Sequence, residues 1–575
     1  MSAELQIWSI FLLLNSLFFI PRYWMERHSS AFLPIKGLLS GPVSERVRYV
    51  INRFNYDIFR MSFDFFLLCL LFYFLGDFFS LTGKTTAFLL IFLVLWAYQL
   101  YYHSFESIYR IEPVLYSDAL MLKTGTQLFF RNLVGVNLFI VFAIFGLFTV
   151  IGFGLHHLLS LFTKVEFSIL SYLAFVIIML LGIYSLLNYN YKAFGKIVFP
   201  SQTQSLIRNI KVSRKVKAYF DHFDFEGLGN HRPYAHLKLK EKPNVYFLVV
   251  ESYGKVLYDH PALKEDYKKQ MATMQLALAA NGWAACTHLS TSPITAGASW
   301  VSYTSALFGL KIQDQGAYVT LLHRPEIRKY EHFMRWLQNQ GYKNYRPSSI
   351  AGFKGMKIPW DDYQEFYALD KWIKYEEMDY SGKLYGFGPC PPDQFTLGFA
   401  NHAALGDAPH FLFMITQNSH SPFVAPPLME NWTAVNDGTQ GTDLEDSSSI
   451  FVQPKLEDYQ AAIAYQLKFI EQFILQEAKP TDVFILMGDH QPPAIAIEKD
   501  GMETPVHIIS QDEELVQHFK QYGFEEGLWK ANSNTFLNHE SIFSMLVRAF
   551  YERFGDGTQD LPPYLANGIE FGDAK

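Results

Sequence analysis

Hydrophobic positions divide the chain into two unlike parts. Over the first 190 residues they come in long runs, near 5–22, 61–82, 86–102, 133–155 and 167–188, of which AFLLIFLVLWAYQLYY and LVGVNLFIVFAIFGLFTVIGFGL are examples. A core helix of a soluble protein seldom runs so far without polar residues, whereas a helix crossing the hydrocarbon layer needs about 20 consecutive apolar residues. The pattern predicts five transmembrane helices within 1–190. No small-residue cleavage site follows the first run, so it reads as an anchor rather than a removed signal peptide. Asp64 and Asp77 fall near the ends of the second run and read as interfacial acids.

From about 241 the pattern changes. Three short, β-rich apolar runs each stop at polar residues. NVYFLVV (244–250) precedes Glu251-Ser252-Tyr253-Gly254, HFLFMIT (410–416) precedes Gln417-Asn418-Ser419-His420, and DVFILM (482–487) precedes Gly488-Asp489-His490. Continuous apolar strands suit a parallel sheet covered on both faces. DYKKQMATMQLALAANG reads as an amphipathic helix ending at Asn281-Gly282, and LEDYQAAIAYQLKFIEQFILQEA (456–478) as another. NDGTQGTDLEDSSS (436–449) reads as a polar surface loop. The expected organisation is an α-helical transmembrane domain of five spans over 1–190, a basic juxtamembrane linker over 191–240 and an α/β domain over 241–575.

Composition agrees with that division and narrows the function. The 575 residues include 53 Phe and 34 Tyr, and the net charge of −7 argues against a dedicated nucleic-acid binder. Cys69, Cys286 and Cys390 are too few for a disulfide scaffold or a thiolate metal cluster. Cys286 and Cys390 could pair in an exported domain. Basic residues cluster after the first span (Arg22, Arg27, Lys36, Arg46, Arg48, Arg53) and after the fifth (Lys192, Lys196, Arg208, Lys211, Arg214, Lys215, Lys217). By the positive-inside rule this count places the C-terminal domain in the cytoplasm. Basic juxtamembrane segments also lie on a leaflet and hold anionic lipid, so the count does not decide the matter.

In open α/β sheets, ligands bind beyond the carboxyl ends of strands. Glu251, His420, Asp489 and His490 all follow such ends and could converge at one sheet edge. Carboxylates and imidazole suit Mn²⁺, Mg²⁺ or Zn²⁺. Two carboxylates and one imidazole leave positions open for a substrate oxygen and a nucleophile, an arrangement that serves phosphoryl chemistry. SPITAGASWVSYTSALFGL (292–310) supplies a small-residue turn and then a helix-like run ending at Gly309. Ser299 sits at the junction, either as a nucleophile at a helix N-terminus or as a helix cap; its spacing alone does not choose.

These stretches resemble the alkaline phosphatase/sulfatase superfamily, and within it the membrane-anchored branch of lipoteichoic acid synthase and the phosphoethanolamine transferases. The marks are VVESYG, GASWVSYTSALFGL, TQNSHSPF and MGDHQPP, within a layout of five spans, linker and catalytic domain. The resemblance implies a sulfatase/alkaline-phosphatase-like catalytic domain with Ser299 as nucleophile, ten residues before Gly309, and Thr295 in reserve. It implies one divalent metal ion, Mn²⁺ first and Mg²⁺ or Zn²⁺ as alternatives, on Glu251, Asp489 and His490 with Ser299 as fourth ligand. His420 would contact the head group or leaving group. Trp360 and Lys357, in PSSIAGFKGMKIPWDDYQEFY, fall where lipoteichoic acid synthases place substrate contacts, and His539 falls where related transferases often have a His.

Two departures narrow the chemistry. Ser299 lacks the C/S-x-P-x-R context of true sulfatases, which argues against sulfate ester hydrolysis. No D-x-x-x-H pair supplies a second metal. The resemblance implies a head-group transferase of phosphoglycerol or phosphoethanolamine type. It would take its donor from membrane lipid and pass the group to a glycan, lipid or polymer hydroxyl. A phosphodiesterase or sulfatase-like hydrolase, and a non-catalytic membrane protein retaining the fold, are the alternatives. It also implies a multi-pass protein of the bacterial inner membrane with an extracytoplasmic catalytic domain, against the charge count.

Overall fold

The protein is described by a computed structural model over residues 2–20, 61–75, 78–109, 112–120, 136–162, 164–187, 201–354, 358–386, 388–403, 406, 408–436, 455–493, 495–496, 500–530 and 535–571. It forms two compact units, Met1–Lys215 and Val216–Lys575.

The first unit is helical. Five apolar helices follow the five runs: α1 (Ala3–Phe18), α2 (Phe63–Phe74), α3 (Leu81–Tyr109), α4 (Val136–Phe162) and α5 (Ile169–Leu187). Two stretches are long and apolar enough to cross a membrane, Leu81–Glu106 and Phe145–Phe162; Ala3–Phe18, Phe63–Phe74 and Ile169–Tyr184 are shorter. The described residues thus contain two full-length candidates rather than five. The start of α2 is set by Ser62, whose hydroxyl caps the helix by accepting from the Phe65 N–H. Phe11, Phe18, Phe65, Phe88 and Phe92 pack inside. Phe74, Phe145, Phe153, Ile169 and Leu187 point outward and are more than 70% exposed.

Asp64, expected as an interfacial acid, has a structural role within this unit. It is buried, and accepts from Ser201 Oγ at 2.8 Å and from the backbone N–H groups of Gln202 and Thr203. It therefore caps the helix α6 (Gln202–His222), where orphan N–H groups favour an anion. Asp77 lies outside the described residues.

The second unit is built on β1 (Val245–Val250), α7 (Lys264–Ala280), β2 (Ala284–Thr291), α8 (Ser299–Phe308), β3 (Leu310–Ile312), β4 (Lys343–Ser348), β5 (Lys371–Lys374), α9 (Asp393–Ala403), β6 (His410–Ile415), α10 (Leu456–Glu477), β7 (Val483–Gly488), β8 (Glu503–Ser510), β9 (Glu525–Glu526), β10 (Leu537–Asn538), α11 (Ile542–Phe554) and β11 (Ile569–Phe571). The main sheet runs β10-β2-β8-β7-β1-β6-β4-β5, with β9 beside β2, and β3 pairs with β11 separately. The strands from β7 to β5 are parallel, as the apolar runs suggested. The sheet as a whole is mixed, because β8 runs antiparallel to both β7 and β2. Among the described residues no crossover helix joins β7 to β8, so the chain returns antiparallel.

Helices cover both faces. Tyr246, Leu248 and Val250 pack with Met271, Met274 and Leu278 of α7, Leu397 and Ala400 of α9, and Ile463, Leu467 and Ile470 of α10. On the other face Tyr303 of α8 meets Phe413, and Phe333 bridges Phe411 and Phe550 of α11. Every residue of β1 and β7 is buried, which accounts for their unbroken apolar sequences. Cys69, Cys286 and Cys390 are free and buried, so the contemplated Cys286–Cys390 pair does not form. The proposed surface loop at 436–449 lies outside the described residues except for Asn436.

Gly488 closes β7 beneath the loop that follows β1. A Cβ there would sit 2.0 Å from the Tyr253 carbonyl oxygen and 2.9 Å from Thr504 Cβ. Gly146 has nothing within 4 Å of the same position. Gly488→Ala should therefore lower the thermal unfolding midpoint of the full-length protein by at least ~5 °C, whereas Gly146→Ala leaves it within ~2 °C. A scanning melt of both variants in one detergent checks this.

Candidate metal centre and nucleophile

The register of the parallel strands builds the site. Val250 of β1 lies opposite Gly488 of β7, and Val249 lies opposite Ile415 of β6. The residues that follow, Glu251, Asp489-His490 and the turn from Thr416, therefore leave one edge together. One ligand atom from each of Glu251, Asp489 and His490 lies within 4.8 Å of the others, and all three side chains are buried.

Backbone geometry aims them. Ser252 is left-handed, with φ 60°. This turns its N–H onto Asp489 Oδ1 at 2.8 Å, while its hydroxyl donates to Glu251 Oε1 at 3.1 Å. One residue thus holds both carboxylates, at a conformational cost of about 1–3 kcal/mol for a non-glycine residue. Tyr459 Oη secures the Ser252 carbonyl at 3.0 Å. The His490 N–H also donates to Asp489 Oδ1, at 2.8 Å. The Glu251 N–H donates to Thr416 Oγ1 at 3.0 Å.

His490 Nδ1 donates to the Gln491 carbonyl at 2.8 Å. That fixes the ring and turns Nε2 toward Glu251 Oε1 at 3.3 Å and Asp489 Oδ2 at 3.4 Å. A metal-ligating histidine characteristically has its other nitrogen on a carbonyl in this way. Asp489 Oδ2 is buried without a hydrogen-bond partner. An orphaned carboxylate oxygen, a second carboxylate and an oriented imidazole fit one hard or borderline divalent cation.

Electrostatics agree. Burial pushes the Asp489 carboxyl up, and the Glu251 charge beside it pushes further. Burial also raises Glu251, but the His490 imidazolium outweighs it and draws Glu251 below the ordinary carboxylate range. Burial alone would lower His490; the Asp489 and Glu251 charges outweigh it and hold the imidazole up to about 9. Without a cation, protons take its place.

Ser299 is the first residue of α8. Its Oγ donates to Glu251 Oε2 at 2.8 Å and lies 3.3 Å from His490 Nε2. Gly297 and Ala298 before it are both left-handed, a tight turn that presents the hydroxyl at the helix start. One turn along, Ser302 Oγ donates to the Asp489 carbonyl at 2.6 Å, and Ser292 Oγ donates to the same oxygen at 2.7 Å. The helix carrying the hydroxyl is thereby tied to the strand end carrying the acid. Thr295 lies in the preceding turn and makes no hydrogen bond to the three ligand side chains among the described residues.

The other expected residues are placed differently. His420 Nδ1 donates to the Ser421 carbonyl at 2.7 Å, and the ring lies within electrostatic reach of Glu251. Trp360 packs on Phe353 and Trp372 beneath Lys374 Nζ. Trp372 in turn stacks on the buried Arg346, which donates to Tyr303 Oη of α8 at 3.0 Å. Among the described residues Trp360 is thus linked to α8, which carries Ser299, through Trp372 and Arg346. Lys357 lies outside the described residues. His539 is buried behind the site, between Ser290 Oγ at 2.8 Å and the Gly488 carbonyl at 3.3 Å, and burial lowers it to about 4. It supports the strand end rather than joining the ligands. Ser252, Ser292, Ser302 and Thr416 are contributors that the motifs did not single out.

The Sulfatase family model matches residues 243–549, more than half of the chain. No curated protein matches it in sequence. Among solved structures it is similar to the integral membrane lipooligosaccharide phosphoethanolamine transferase A of Neisseria meningitidis. That match has 13% identity and a TM-score of 0.46, covering 94% of this chain and 95% of that one. It is also similar to the lipoteichoic acid synthase LtaP of Listeria monocytogenes, at 13% identity and a TM-score of 0.35, covering 58% and 79%. A third similarity is to the phosphoglycerol transferase GacH of Streptococcus pyogenes, solved with sn-glycerol-1-phosphate, at 13% identity and a TM-score of 0.32, covering 60% and 80%.

Metal ligands bind deprotonated, so a divalent ion entering at pH 7 must displace the protons held on His490 and the carboxylate pair. Titration calorimetry with Mn²⁺, repeated in buffers of different ionisation enthalpy, should show net proton release. The apparent affinity should rise from pH 6 to pH 9, as the medium rises toward the raised His490 value and the imidazole loses its proton. Asp489→Asn should weaken binding by at least ~100-fold.

Proposed function

The chain belongs to the sulfatase family, and from that premise we propose that it is a membrane-bound, metal-dependent transferase of phospho head groups. The observation that carries this reading is the Ser299 hydroxyl on Glu251, at a helix start, inside a buried set of two carboxylates and an imidazole. Sulfate ester chemistry is disfavoured by the residues after Ser299, which are Trp-Val-Ser-Tyr rather than a formylglycine context. The resemblance to phosphoethanolamine transferases and lipoteichoic acid synthases names phosphoethanolamine and phosphoglycerol as the head groups to try first.

Glu251, Asp489 and His490 would hold the cation, Mn²⁺ first, beside Ser299. Bound there, it would supply Lewis-acid stabilisation of charge on the phosphoryl oxygens. The protein's own residues do the rest. Ser299 Oγ, aimed by its hydrogen bond to Glu251, releases its proton to water and attacks the phosphorus of a lipid phosphodiester. The bond from phosphorus to the lipid alcohol breaks, and that alcohol's oxygen takes a proton from His420. The α8 N-terminus favours the anionic group now esterified to Ser299. An acceptor hydroxyl then attacks the phosphorus, gives its proton to His420, and Ser299 regains its own. Thr295 is the reserve nucleophile, and Trp360 and Lys357 are head-group or acceptor contacts.

The outward apolar residues of α1–α5 support a membrane anchor with five crossings. We place the catalytic unit outside the cytoplasm of a bacterial cell, because large domains translocate with little regard to flanking charge.

Intact mass of the full-length protein, after incubation with Mn²⁺ and lipids bearing different head groups, tests the mechanism. A mass increase absent from Ser299→Ala is the expected result, and its size names the head group. Head-group release without any adduct in a rapid-quench sample would indicate direct hydrolysis instead. Neither adduct, release nor bound metal would leave a non-catalytic protein. A reporter fused after Lys575 should be active outside the cytoplasm; cytoplasmic activity would overturn the placement.

A further inference from the structure

Asp393 opens α9 and is fully buried. Its carboxylate accepts from the Gln417 N–H at 3.0 and 2.9 Å, the Asn418 N–H at 2.8 Å and Gln466 Nε2 at 2.8 Å. Asn418 returns the contact, its Oδ1 accepting from the Asp393 N–H at 2.6 Å. Among the described residues no cation pairs with it. Burial pushes its carboxyl up to about 6, against the pull of these donors. A buried carboxylate without a counter-charge is expensive to keep, so what it holds in place is informative.

What it holds is the turn after β6. Within that turn the Gln417 carbonyl accepts from the His420 N–H at 3.1 Å, and the His420 carbonyl accepts from the Phe423 N–H at 2.8 Å. Thr416, one residue before the clamped pair, receives the Glu251 N–H. The clamp on Gln417 and Asn418 therefore lies between Thr416, which receives the Glu251 N–H, and His420, and it ties the turn to α9 and, through Gln466, to α10.

We propose that Asp393 is a positioning residue for His420, holding the Gln417–His420 turn so that the imidazole reaches the leaving-group oxygen. The inference rests on the reading of His420 as proton donor. In the step concerned, the Ser299 Oγ–phosphorus bond forms and the bond from phosphorus to the leaving oxygen breaks. The released electron pair goes to that oxygen, which takes the Nε2 proton of His420. His420 Nδ1 is already committed to the Ser421 carbonyl, so Nε2 is the nitrogen that exchanges protons. An alkanol leaving group needs that proton; p-nitrophenolate does not.

The test uses the full-length enzyme in detergent with Mn²⁺ and two phosphodiesters of one head group, with diacylglycerol or p-nitrophenol as leaving group. Both kcat and KM are measured for wild type, His420→Ala, Asp393→Asn and the double variant. Losses are compared on kcat/KM, which reports the first displacement alone, because His420 also serves the second displacement common to both donors: Asp393→Asn should lower kcat/KM on the lipid donor by roughly 10²-fold and on the p-nitrophenyl donor by less than about 3-fold. Added to His420→Ala it should cost nothing further, because a residue acting through another shows no separate effect. Equal loss on both donors, or a loss that adds in full to that of His420→Ala, makes Asp393 a structural residue and overturns the inference. Should Asp393→Asn fail to fold, Gln466→Met removes one donor only; it should give a smaller loss selective for the lipid donor, and an equal loss on both overturns the inference. A leaving-group effect in His420→Ala without one in the Asp393 or Gln466 variants overturns the inference alone. A wild-type enzyme that cleaves neither donor overturns the functional reading and the inference with it.

Discussion

Two carboxylates and an imidazole buried within 4.8 Å of one another cannot all hold their ordinary charges. Something positive must enter, either protons or a metal ion. This constraint organises the Val216–Lys575 unit. It requires strand ends that project side by side, which the parallel register of β1 with β6 and β7 provides. It requires that the acids be aimed against their mutual repulsion, which Ser252 does from a left-handed conformation that few serines adopt. It also gives Ser299 its setting, with the hydroxyl donating to Glu251 Oε2 at 2.8 Å.

Much of this arrangement was legible in the residues alone, for a specific reason. A strand buried on both faces reads as a continuous apolar run, so its carboxyl end is visible as the point where polar residues begin. Glu251 and Asp489-His490 stand at such points. Ser299 was visible because a Gly-Ala turn and a long helix-like run flank it. The supporting residues were not visible. Ser252, Ser302, Thr416 and Asp393 find their partners up to 237 residues away in sequence, and each is of a type that commonly caps a helix or a turn. The antiparallel β8 also escaped notice, because a buried strand looks the same in either direction. Trp360, singled out by a motif's position, packs on Phe353 and Trp372.

The N-terminal unit shows the reverse case. Hydropathy identified its five apolar helices, but not their lengths or the role of Asp64. An acid at the margin of an apolar run looks interfacial when the run is read alone. In the fold it serves the helix that begins at Gln202, more than a hundred residues later. The basic residues that argue for a cytoplasmic domain include those along that helix.

The two serine hydroxyls on the Asp489 carbonyl have a consequence for how such chains vary. Ser292 stands before the Gly297-Ala298 turn and Ser302 after it, so the stretch between them is pinned at both ends to one oxygen atom. An α-helix turns about 100° per residue. An insertion between Ser299 and Ser302 would therefore turn the Ser299 hydroxyl off Glu251, and one in 293–298 would have to loop out for both anchors to keep that oxygen. Length changes around this loop should be confined to positions outside the bracket. The spacing Ser292, Ser299, Ser302 then forms a phase mark, recognisable in divergent chains even where the residues between have changed.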